Sequence, residues 1–189
     1  MQPLADEIKA CRKCGLWRQR KNAVLGEGNL DAAVMLVGEA PGYWEDVKGR
    51  PFVGAAGKIL DEMLSKAGIS RSAMYITNVV RCRPPENRDP LLSEIETCTP
   101  YLDRQIKIIK PKFMVTLGRH AASYILAKAG IETEGITKIH GRVYEANLLG
   151  FEVFIIPVYH PAAALYNAKY KDELGKDFQL LKLRFERSG

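Results

Sequence analysis

Cys11 and Cys14 are the ends of "CRKC", and Cys82 and Cys98 are the ends of "CRPPENRDPLLSEIETC". A Cys-x2-Cys pair lets two thiolates of one turn reach one metal, and in an intracellular chain that pattern points to metal binding rather than a disulfide. Zinc sites usually take two short-spaced pairs, whereas fifteen residues separate the second pair here. That irregularity leans toward an iron-sulfur cluster held by four thiolates, with zinc left open. Arginines flank Cys82, and basic residues surround Cys11 and Cys14. A metal staple would bring two basic segments together into a positive surface suited to backbone phosphates, with a structural rather than a redox role. A second group of chemistry-bearing residues begins with Glu39, the carboxylate in the glycine turn of "VMLVGEAPG".

Four apolar runs rich in Val, Ile and aromatics read as strands: residues 32–38, 74–80, 112–118 and 151–160. Helical spacing lies between them. Ile59, Leu60, Met63, Leu64 and Ala67 form one stripe closed by Gly68, Ser93 with Glu96 reads as a capping box before a helix over 95–109, and another helix covers 119–129. A last helix over 172–186 carries Leu174, Phe178, Leu181 and Phe185 on one face, and a hairpin is expected to turn at 147–150. Strands alternating with helices predict an α/β fold, a single three-layer domain over residues 1–189 with a central parallel sheet. Ligands of such sheets bind beyond the carboxyl ends of the strands. Those ends carry Gly38 and Glu39, Thr77 and Asn78, Gly118 and Arg119, and Tyr159 and His160, which together predict one polar pocket.

"GAAGK" at 54–58 is not a phosphate loop, because Phe52 stands where the first glycine belongs and Ile59 where Ser or Thr belongs. "GEAPG" does not match the dinucleotide fingerprint either. Lys and Arg outnumber Asp and Glu by 28 to 22, for a net charge of +6. Six of those cations crowd between Lys9 and Lys21, the footprint of a polyanion partner. No apolar run approaches a membrane span, and the start of the chain lacks the basic and apolar parts of a secretion signal, so a cytoplasmic protein is expected.

Taken together, "GEAPG", "PFVGAAGK", "TNVVRCRPP", "YHPAA" and the four cysteines resemble the family 4 uracil-DNA glycosylases of archaea and bacteria. The resemblance runs from Cys11 to about Tyr166. It implies an α/β domain with a four-stranded parallel sheet flanked by helices, a [4Fe-4S] cluster on Cys11, Cys14, Cys82 and Cys98, and release of free uracil from single- or double-stranded DNA. It further implies a prokaryotic base-excision enzyme, expected as a monomer that a replication or repair clamp could recruit. Carried over residue by residue, Phe52 stacks on the extruded base, Asn78 reads its N3 and O4 edge, and His160 donates to O2. Backbone of Gly38, Glu39 and Ala40 lines the rest, and Glu39 positions water and steadies the sugar cation. Leu165 or Tyr166 is a candidate wedge for the vacated space. Family 1 enzymes carry Asp where this chain has Ala40, and Tyr where it has Gly42; exclusion of thymine's methyl then falls to Glu45 or Tyr43. His120 and His140 match no catalytic position. Two competing readings are a cluster-bearing DNA-binding module of the same fold with little or no base release, and a zinc-dependent RNA-binding protein.

Overall fold

The computed structural model describes residues 1–186. Its sheet has six strands: β1 (Glu27–Gly28), β2 (Val34–Gly38), β3 (Tyr75–Asn78), β4 (Phe113–Leu117), β5 (Tyr144–Leu148) and β6 (Phe151–Val158). Their spatial order is β1-β3-β2-β4-β6-β5. The four central strands are parallel, as the apolar runs imply, but the sheet is mixed and wider than expected. β1 adds an antiparallel strand to β3, and β5 adds one to β6. The second addition is the anticipated hairpin, turning through Leu149 and Gly150 at positive φ.

Every residue of β2, β3 and β4 is buried, because helices cover both faces. Alternate residues of β2 point to opposite sides, so Met35 and Val37 join one core and Val34 and Leu36 the other. On the first side lie α1 (Gln2–Ala10), through Leu4 and Ile8, α4 (Leu92–Ile109), through Leu102 and Ile106, and α5 (Arg119–Lys128). On the second lie α3 (Ala55–Lys66), through Leu60 and Met63, and α7 (Ala168–Glu186), through Leu174, Phe178 and Leu181. Truncating one of these fully buried leucines to Ala costs about 2–5 kcal/mol. Phe185, expected on the buried face of α7, is instead 45% exposed and touches Phe113 edge-on. Two short helices complete the set, α2 (Tyr43–Lys48) and α6 (Ile136–Ile139).

The expected Ser93–Glu96 capping box is not formed. α4 begins earlier, at Leu92, and its first turn is held by Glu94, which accepts from the Leu91 N–H at 2.8 Å and takes both Arg88 guanidinium nitrogens. Ser93 lies inside the helix, where it cannot cap. Among the described residues no helix is long and apolar enough to cross a membrane.

Candidate active site

β2 and β4 are neighbours, yet the chain leaves β2 toward β3 and leaves β4 toward β6 and β5 on the opposite side. A crevice opens at such a switch point. It holds a cavity of about 310 Å³ lined by Glu39, Ala40, Glu45, Phe52, Asn78 and His160, among others. Three of the four strand ends singled out from the sequence therefore contribute to one site. Arg119, from the fourth, stands at its rim.

Gly38 sits opposite Asn78 in the β2–β3 register. A Cβ there would come within 2.4 Å of the Asn78 side-chain oxygen and 2.6 Å of the Phe52 ring, so only glycine lets the three meet. Phe52 is buried and holds a left-handed backbone at φ 50°, a conformation costly for an aromatic residue. Two neighbours enforce it. Gly57 allows the Phe52 carbonyl to lie where a Cβ would be 2.0 Å away, and Glu45 accepts from the N–H groups of Val53 and Gly54 at 2.9 and 2.8 Å. Asn78 is 2% exposed, and among the described residues its carboxamide has no hydrogen-bond partner.

The Ala162 N–H donates to His160 Nδ1 at 3.1 Å, which makes Nδ1 an acceptor and leaves the proton of the neutral ring on Nε2. Part of the ring opens on the cavity while protein surrounds the rest, and this burial pulls its pKa down to about 4, against a small opposing pull from Glu45. His160 is thus an uncharged donor near neutral pH. Gly118, at φ 91°, lets its backbone approach the His160 side chain, which a Cβ would meet at 2.9 Å. The Phe52 and His160 rings stand 5.9 Å apart and tilted.

Glu39 is half-buried, and that burial lifts its pKa above the ordinary carboxylate value. His120 opposes the rise, Asp89 adds to it, and Arg119 opposes it. His120 Nε2 lies 3.8 Å from Glu39 and 3.3 Å from Asp89, Arg119 Nε donates to the same His120 nitrogen at 3.1 Å, and Arg119 also pairs with Asp89. His120 matches no catalytic position of the resembled family and reads from the sequence as structural or phosphate-contacting; α5 carries it to the rim beside Glu39. His140 does not line the cavity; it packs on the Tyr159 ring and pairs with buried Asp177 at 3.1 Å. Leu165, which ends the short turn Pro161–Leu165 that follows His160, and Tyr166 just after it are 40% and 89% exposed. Gly42 has a specific reason to be glycine, since a Cβ there would meet the Glu45 carboxylate at 2.8 Å.

None of the four cysteines forms a disulfide among the described residues, and all line a second cavity with Trp17, Arg20 and Tyr101. Arg20 donates to Cys82 Sγ at 3.0 Å, and the Arg81 N–H to Cys98 Sγ at 3.3 Å. Burial pushes the Cys98 thiol up to about 11 and raises Cys82 as well. Arg81 is buried beside them. Its Nη atoms donate to Thr77 Oγ1, to the Asn78 carbonyl and to Gln105, but its Nε has no partner and no carboxylate neutralises its charge among the described residues. A buried cation without a counter-charge fits a set of sulfurs that becomes anionic when it takes metal.

Residues 25–182 match the family model of the uracil DNA glycosylase superfamily. The type-4 uracil-DNA glycosylase of Saccharolobus solfataricus is 50% identical over 180 residues, covering 95% of this chain and 83% of its own. That of Archaeoglobus fulgidus is 48% identical over 179 residues, covering 95% and 90%. A type-5 uracil-DNA glycosylase of Thermus thermophilus is 31% identical over 175 residues, with 76% and 80% covered. On this match, and with its residues gathered at the strand ends as described, the chain belongs to the uracil DNA glycosylase superfamily and to its type-4 branch.

Proposed function

We propose that the 310 Å³ cavity receives uracil extruded from DNA and that the chain hydrolyses its N-glycosidic bond, releasing free uracil and leaving an abasic site. The observation that carries this reading is the pairing, in one cavity, of a neutral His160 with its proton on Nε2 and an Asn78 carboxamide without a protein partner. A carboxamide both donates and accepts, as the N3–H and O4 edge of uracil requires, and the edge of cytosine presents the opposite polarity. Phe52 supplies a stacking face, and backbone of Gly38 to Ala40 closes the remaining side.

As the C1′–N1 bond breaks, its electron pair leaves with uracil, and His160 Nε2–H donates to the O2 where negative charge gathers. Water adds its oxygen to C1′, and Glu39 takes the proton released while its charge steadies the cationic sugar. Glu45 occupies the space that a side chain at 42 would need, which makes it the group that would meet a thymine methyl. Tyr43 is not a wall of the cavity; its ring lies among cations outside. Exposed Leu165 and Tyr166 supply a wedge for the vacated space.

Cys11, Cys14, Cys82 and Cys98 would hold a [4Fe-4S] cluster. Fifteen residues separate Cys82 from Cys98, where zinc sites usually take two short-spaced pairs, and that spacing favours a cluster over zinc. A bound cluster supplies cross-linking and negative charge, and the steps at the sugar remain those of Glu39 and His160.

Incubation with oligonucleotides carrying one uracil, opposite G, opposite A or unpaired, followed by alkali, tests the activity. Strand breaks are expected at uracil, with Glu39→Ala and His160→Ala each slower by on the order of a hundred-fold. Absence of breaks with the unaltered protein on every substrate would overturn the reading.

A further inference from the structure

Tyr43 and Trp44 open α2 beside the cavity, between its lining residues Gly42 and Glu45. Both are large aromatics left 46% and 53% exposed, packed edge to face with ring centres 5.2 Å apart. Three cations gather on them. Arg83 and Lys21 lie 5.2 and 5.6 Å from the Tyr43 ring centre, and Lys48 lies 5.9 Å from that of Trp44. Among the described residues none of the three forms an ion pair. Arg83 also donates to Asn87, a cavity-lining residue, and the Trp44 ring edge reaches Gly54 in the loop after Phe52. Aromatic pair, cations and cavity mouth therefore form one continuous surface.

An exposed indole costs solubility and adds nothing to the core, so its place beside unpaired cations at a cavity mouth calls for a partner with a flat face and negative charge. A nucleotide has both. We propose that Trp44 stacks an unpaired base flanking the extruded uridine while Lys21, Lys48 and Arg83 hold the adjoining phosphates, a subsite for single-stranded DNA. Cations crowd the Tyr43 ring, so Tyr43 orders them and Trp44 presents the stacking face. A paired neighbour in a duplex keeps its own stack and cannot use this face. The subsite thus discriminates by strandedness, which the cavity does not. The inference rests on the reading of that cavity as the uracil pocket only for which nucleotide is held.

The test is fluorescence anisotropy of the full chain with labelled DNA lacking uracil, single-stranded and duplex, for wild type, Trp44→Ala, Trp44→Phe and Lys48→Ala. Trp44→Ala is expected to weaken single-strand binding about ten-fold or more and duplex binding by less than about two-fold, with Trp44→Phe recovering most of the loss. Lys48→Ala should flatten the salt dependence on single strands. Equal weakening on both DNAs, or none on single strands, would overturn the proposal. Because no uracil is present, a protein that releases no base but shows the strand-selective loss would keep the subsite and fail the activity reading alone.

Discussion

At the residue scale the site turns on how one carboxylate is held. In the proposed reaction Glu39 must be ionised to take a proton from water and to face a cation, yet its burial raises its pKa, so activity is expected to fall as pH drops through that raised value. His120 lowers the Glu39 pKa and Asp89 raises it. The acid limb of the kcat profile should therefore move to higher pH in His120→Ala and to lower pH in Asp89→Asn. Movement in the same direction, or none in either, would mean that the limb belongs to another group. Glu39, Asn78 and His160 were legible in the sequence because each ends an apolar strand, and parallel strands bring their ends to one edge. The groups that tune Glu39 were not, since His120 is on a helix and Asp89 in a loop, and no local period links them to residue 39.

At the element scale the site depends on close approach between β2, β3 and the loop after α2. Gly38→Ala tests this directly. Its φ is not one that requires glycine, so the strand should persist, while the new methyl collides with Asn78 and Phe52. The expected result is a folded protein, by circular dichroism, whose base release drops by at least about ten-fold, as a misplacement of roughly 1 Å can do. Elements with a long apolar period were readable, whereas the short ones were not. β1 has two residues, one of them Gly28, held where a Cβ would lie 1.9 Å from the Met74 carbonyl. Two residues carry no alternation to detect. α1 escaped notice although Leu4 and Ile8 stand one turn apart, because a single i, i+4 pair is weak evidence against a charged background. The cap of α4 was misplaced by the ambiguity of a segment with acids at 94 and 96, which only the Arg88 contact resolves.

At the scale of the whole molecule two centres share one fold: a cavity at the sheet's switch point, and four cysteines drawn from the segment just after α1, the loop after β3, and α4. The sequence announced both and gave no sign of what joins them, because Arg81 is one arginine in a basic chain until burial singles it out. It touches Cys98 through its backbone and the Asn78 carbonyl through its guanidinium. With the proposed cluster in place, removing its iron with a chelator is expected to lower the melting temperature and cooperativity of the wild type. Arg81→Met, of similar length and without charge, should lose less on the same treatment, because no buried cation is then left unbalanced. An equal loss in both would detach Arg81 from the metal centre. Arg81 is sealed between β3, α4 and the cysteines, so the chain cannot close this region around a bare charge without penalty. For the proposed cluster, maturation would then have an order, with iron arriving as the fold closes rather than entering a chain already folded around its cysteines.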